Sequence, residues 1–119
     1  MAAPPFRVPL TIFQGATFQK TLTWKVGKPP QPVDLTGCSA RMQVRPQVAS
    51  ATVLLELTTD NGRILLGGPA GTVQLQLTPS ETAPLAFVAA VYDLEIVHPG
   101  GQVRRLASGQ VKLNPEVTR

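Results

Sequence analysis

Apolar and polar residues alternate with a period of two along most of this chain, and glycine and proline cut the alternation into short pieces. Gly and Pro together make up 22 of the 119 residues. Period-two alternation is the signature of a half-buried strand, and frequent punctuation limits each strand to a few residues. Phe6, Val8, Leu10 and Ile12 point one way, with Pro9 among the residues between them. Proline cannot donate to a strand ladder, so this stretch reads as an edge strand or arm. After Gln14-Gly15 come Phe18, Leu22, Trp24 and Val26 on one face and Thr17, Gln19, Thr21, Thr23 and Lys25 on the other. Residues 27–32 form a proline-rich turn. Cys38, Ala40, Met42 and Val44 then line the next strand.

The second half repeats the pattern. Residues 46–51 read as a loop and residues 52–57 as a strand with Val53, Leu55 and Leu57 inward. Asp60-Asn61-Gly62 is a hairpin-type turn signal leading to a short return strand over residues 63–66. Val73, Leu75 and Leu77 alternate with Thr72, Gln74 and Gln76. Tyr92, Leu94 and Ile96 do the same with Asp93 and Glu95. Residues 103–106 and 109–113 close the set as one strand or a pair, with Gly109 suited to a bulge or bend. Only Thr78-Pro79-Ser80-Glu81 breaks the pattern. Thr78 is placed to cap a helix whose first residue is Pro79, and Glu81 to reach back to the Thr78 amide. Pro84 stops that helix within two turns. The sum is a single all-β domain over residues 1–119, a β-sandwich or small barrel of seven to nine short strands with one short helix. Residues 1–9 form its N-terminal arm or edge strand and residues 114–119 its extended tail.

Composition narrows the function classes. Leu, Ile, Val and Phe supply 34 of 119 residues, enough for a packed core. No apolar run nears the roughly 20 residues that a membrane-spanning helix needs. The N-terminus shows neither a basic nor an apolar signal region, so synthesis without secretion is expected. A single cysteine excludes an intrachain disulfide and a multi-thiolate zinc site. Net charge is +4, with the 11 Lys and Arg scattered from Arg7 to Arg119. Scattering reads as a solvated surface rather than a phosphate track, so nucleic acid is not an expected partner.

No catalytic, cofactor-binding or metal-binding set emerges. His98, the only histidine, stands at a turn before Pro99-Gly100-Gly101, and Ser39, Ser50, Ser80 and Ser108 lie in no nucleophile-elbow sequence. Cys38 falls on an apolar strand position and reads as a small buried side chain. Asp93 and Glu95 share a strand face without the aromatics that a sugar cleft requires. Asp34 and Glu81 have turn and cap positions. Trp24 reads as a core anchor between two sheets, facing residues such as Met42, Leu75, Tyr92 or Leu94. The chain is expected to act through its surface rather than as an enzyme.

The order of short phrases adds a resemblance. Phe13-Gln14-Gly15-Ala16-Thr17-Phe18 precedes Leu22-Thr23-Trp24, Val33-Asp34-Leu35-Thr36-Gly37 and Ala40-Arg41-Met42-Gln43-Val44-Arg45. Leu55-Glu56-Leu57-Thr58-Thr59, Gly71-Thr72-Val73, Thr78-Pro79-Ser80-Glu81-Thr82, Tyr92-Asp93-Leu94-Glu95 and Gly101-Gln102-Val103-Arg104-Arg105-Leu106 follow, then Gly109-Gln110-Val111. The series resembles small virion proteins of tailed bacteriophages, in particular the N-terminal domain of baseplate upper proteins, over about residues 10–117. The resemblance implies an immunoglobulin-like antiparallel β-sandwich without catalytic residues. It implies a structural component of the virion, made in the bacterial host cytoplasm. That component would be an adaptor, collar, baseplate or decoration subunit, present in several copies around a symmetric ring. Its partners would be other virion proteins of the tail, baseplate, neck or capsid. On this reading Phe6 and Val8 of the arm pack on a neighbouring subunit. Lys25, Lys28, Arg104 and Arg105 meet acidic surfaces. A soluble carbohydrate- or cell-surface-binding module is the alternative.

Overall fold

The computed structural model describes residues 4–119 and is an all-β sandwich. Among the described residues the strands are β1 (Phe6–Arg7), β2 (Leu10–Phe13), β3 (Phe18–Thr23), β4 (Lys25–Val26), β5 (Gln31–Pro32), β6 (Ser39–Arg45), β7 (Leu55–Thr58), β8 (Ile64–Leu66), β9 (Thr72–Leu77), β10 (Ala89–Val97) and β11 (Val103–Asn114). Eight of them have three or more residues. One sheet runs β1–β11–β10–β6–β7, with β2 also on β11. A second runs β3–β9–β8, and β4 and β5 form a separate hairpin. The alternation expected from sequence survives best in the middle of the sheets. Met42, Val44, Leu94 and Ile96 from the larger sheet and Ile64, Val73, Leu75 and Leu77 from the smaller are buried in one core.

All strand pairs are antiparallel except those of the N-terminal stretch. β1 and β2 both run parallel to β11, Phe6 opposite Ala107 and Leu10 opposite Val111. Pro9 falls in the gap between them, where no ladder bond is lost. The Val8 amide donates to Ser108 O at 2.9 Å, and the Tyr92 hydroxyl donates to Val8 O. The arm from Phe6 onward therefore docks on its own sheet. Residues 1–3 of that arm lie outside the described residues. Gly109 serves this docking rather than a bulge, because a Cβ there would stand 2.7 Å from the Val8 carbonyl oxygen. The bulge sits three residues earlier. Leu94 pairs with Ala107 and Glu95 with Arg105, leaving Leu106 as the extra residue in one unbroken β11. Leu106 and Ala107 are both buried as a result.

Three further expectations shift. The Asp60-Asn61-Gly62 turn is not a hairpin, because β7 pairs with β6 and β8 with β9. The turn carries the chain between sheets. Asn61 Oδ1 accepts from the Thr58 and Arg63 amides while Asn61 Nδ2 donates to Glu56 O. Val53 is exposed, since the strand begins only at Leu55. Val26 is exposed too, because β3 ends at Thr23 and the chain turns into the β4–β5 hairpin.

The helix is as the sequence reads. α1 (Pro79–Thr82) carries a complete capping box, Glu81 N donating to Thr78 Oγ1 at 3.2 Å and Thr78 N to Glu81 Oε1 at 2.8 Å. Together these pairings define two ends of the sandwich. α1, the end of β6 and the start of β10 lie at one. The ends of β3 and β10 and the starts of β6, β9 and β11 lie at the other, around Trp24.

Candidate interaction surface

Trp24 organises its end. Its backbone amide donates to Gly71 O at 2.8 Å, and its carbonyl accepts from the Val33 amide at 2.9 Å. Gly71 is required at this junction. Its φ is +70°, and a Cβ would stand 2.7 Å from Trp24 O. The indole is buried, at 4% exposure. Its near neighbours include the rim of the core. The His98 ring lies 6.2 Å away, centroid to centroid, and the Arg104 guanidinium carbon 5.8 Å from the indole centroid. Trp24 Nε1 is buried without a hydrogen-bond partner among the described residues.

The adjacent arginines of β11 part company here. Arg105 stands opposite Glu95 on the outward face, with its Nε 3.6 Å from Asp93 Oδ2. Arg104 stands opposite Ile96, on the line of inward-facing residues. At the open end of the sandwich that line leads over Trp24, so the guanidinium sits over the indole within cation–π range. Lys25 follows Trp24 directly, and Lys28 stands in the turn between β4 and β5; both are exposed. Neither lysine nor Arg104 forms an ion pair among the described residues. Of the surface residues expected from sequence, the structure thus groups Lys25, Lys28 and Arg104. Arg105 is set on another face. Phe6 and Val8 lie at the sheet edge, half-buried beside Leu22, Thr23 and Leu106 around a shallow apolar hollow of about 190 Å³.

One pairing was not drawn from the sequence. Cys38 Sγ lies 3.5 Å from His98 Nδ1. The signal was there in the register: Ser39 pairs with Val97, which sets residues 38 and 98 side by side just beyond the ladder. Cys38 is half-buried rather than buried, because it precedes the first paired residue of β6. Burial, and secondarily the Asp34 carboxylate, push its thiol pKa up, which favours the protonated thiol over a nucleophilic thiolate. Asp34 is itself engaged, accepting from the Thr36 amide at 2.9 Å and the Thr36 hydroxyl at 2.6 Å. No group of three or more His, Cys, Asp or Glu suited to a metal occurs among the described residues.

The remaining surface divides by charge. On the outward face of the larger sheet, Arg41 pairs with Glu95 at 2.8 Å. Gln43 there bonds Glu56 at 2.9 Å and accepts from Arg45 at 2.6 Å. The outward face of the smaller sheet has no charge on its paired β3 and β9 positions: Gln19 faces Gln76, Thr21 faces Gln74 and Thr23 faces Thr72. At the α1 end, exposed Phe13, Val88, Val48 and Val53 follow the strand order across the larger sheet.

No family model matches this chain, and no curated protein matches it.

Proposed function

We propose that the chain is a non-enzymatic structural component of a tailed-phage virion, an adaptor, collar, baseplate or decoration subunit that works through protein–protein contacts. The observation that carries the reading is where the unengaged side chains lie. Strand addition is discouraged at the sheet edges. Lys20 takes an inward-facing position on edge strand β3, Pro9 interrupts the β1–β2 edge, and β7 and β8 are only four and three residues long. On the larger outward face Arg41 pairs with Glu95 and Arg105 with Asp93. Lys25, Lys28 and Arg104, which form no ion pair among the described residues, lie at the Trp24 end, and exposed Phe13, Val48, Val53 and Val88 lie at the α1 end. A rigid sandwich with chemically distinct ends suits a subunit held between neighbours, where repetition around a ring multiplies modest contacts.

The resemblance over about residues 10–117 supplies the phage context, and the all-β sandwich agrees with what that resemblance implies. Carbohydrate binding, the alternative, draws on exposed aromatics, whereas Trp24 and Tyr92 are buried. The test is mass spectrometry of gradient-purified particles made by the genome that encodes this chain, with its copy number set against a known ring protein. A stoichiometric signal is expected. Presence in the infected-cell lysate alone would favour the soluble binding module instead.

A further inference from the structure

We propose that the Trp24 end of the sandwich binds a carboxylate-rich surface of a partner protein, with Arg104 as its anchor. The inference deepens the reading above and rests on it only in taking the partner to be a protein. Arg104 is held over the indole at 5.8 Å, so its guanidinium is oriented before any partner arrives. It donates no hydrogen bond and forms no ion pair among the described residues, which leaves its planar fork free for bidentate pairing with a carboxylate. Lys25 and Lys28 belong to the same end and likewise form no ion pair among the described residues. Asp34, the carboxylate nearest in sequence, has one oxygen occupied by both donors of Thr36. Val26 and Val103, next in sequence to Lys25 and Arg104, are 49% and 45% exposed. An arginine over a buried tryptophan, with exposed valines and further cations at the same end of the sandwich, has the make-up of an interface hot spot.

Charge decides the occupant. A second copy meeting this end head-on would oppose like charges, whereas an acidic surface is drawn to it and oriented by it. Nucleic acid fits less well. The cations are few, and the one indole that would stack on a base is covered by Arg104.

Trp24 is the sole tryptophan, so its fluorescence reports directly on this end. The full chain would be titrated at low salt with an N-acetylated ten-residue peptide of alternating aspartate and leucine. Indole emission and amide NMR shifts would be followed. Shifts confined to residues 24–28, 98 and 102–105 are expected, with binding weakened at least tenfold by K25E/K28E/R104E. The equal charge change R7E/K20E/K112E should leave affinity within about twofold. Arg104→Lys, which keeps the charge and loses the fork, should weaken binding at least threefold and covers the case in which the triple variant fails to fold. Equal loss in both triple variants would reduce the effect to net charge and overturn the proposal. So would the absence of localised shifts, or a 20-base-pair DNA duplex displacing the peptide from the same residues at higher affinity. The assay needs no particle: failure here, with the chain present in purified particles, sinks this inference and leaves the virion reading standing.

Discussion

The two ends of the sandwich are built on opposite principles. At the α1 end the polar side chains hold the fold together. Gln14 Nε2 donates to the carbonyls of Ala83 and Leu85 at 3.0 and 2.9 Å, and Gln14 Oε1 accepts from the Glu116 amide at 2.9 Å. The buried Thr82 hydroxyl donates to Ala16 O at 2.8 Å, and Arg63 pairs with Glu81 at 2.6 Å. One glutamine thus ties the turn after β2, the end of the helix and the C-terminal tail. At the other end, among the described residues, Trp24 Nε1 has no partner and three cations face solvent without an ion pair. Groups that close bonds within the chain stabilise it alone, while groups left open are available to another molecule. The contrast separates residues that maintain the domain from residues that can serve assembly.

That separation can be broken by mutation. The largest effect is expected where the two roles meet. Trp24→Ala removes a buried indole from the core rim and should lower unfolding stability by about 3–5 kcal/mol. Denaturant unfolding followed by far-ultraviolet circular dichroism checks it. A variant as stable as the parent would mean that this end contributes nothing to the core. At the α1 end, Gln14→Ala strands the two carbonyls and the Glu116 amide, all near the surface, and should cost about 2 kcal/mol. Hydrogen exchange should then show faster opening at Glu116 and at residues 82–85, with little change around Trp24. Uniform acceleration across both ends would break the comparison, because it would make the ends one cooperative unit.

How far the sequence revealed this differs between the two ends. The capping box was legible because it is local: Thr78, Pro79 and Glu81 interact within one turn, and spacing alone identifies them. Strand faces were legible for the same reason wherever a strand is paired on both sides, as for β6, β9 and β10. Misreadings concentrate at strand termini, where Val26 keeps the alternation but has passed from the β3–β9 ladder into the β4–β5 hairpin and Val53 precedes the first residue of β7. Long-range features were hidden. Nothing local distinguishes the Arg104 side chain from that of Arg105 until the register with β10 is known, and the bulge at Leu106 changes the phase of β11 between its two halves. The parallel docking of β1 and β2 explains Gly109 only once Val8 is seen to pass over it. The Gln14 hub joins residues 69 to 102 positions apart. No periodicity encodes such a contact.

The smallest expected effect is the sharpest test of the α1 end as a self-satisfied structure. The Thr78 amide, followed by Arg63, holds the Glu81 carboxyl below its ordinary value of 4.5. A carboxyl whose pKa is depressed by folding contributes stability that is fully present above the unfolded value. That contribution is lost as pH falls through the folded value. Stability of the parent should therefore decline as the solution is acidified below about 4.5. Glu81→Gln keeps an acceptor for the Thr78 amide, so the helix stays capped, but it removes the titrating charge and the ion pair with Arg63. At neutral pH the variant should lose less than about 1 kcal/mol, as partly exposed ion pairs do. Under acid its stability should fall less steeply than the parent's. Some slope will persist, because Asp34 is also held below its ordinary value, by the Thr36 hydroxyl first and the Thr36 amide second. The measurement is unfolding free energy against pH from 7 to 3 for both proteins. Parallel curves would show that Glu81 contributes no folding-linked titration and that its bonds at the α1 end do not hold in solution.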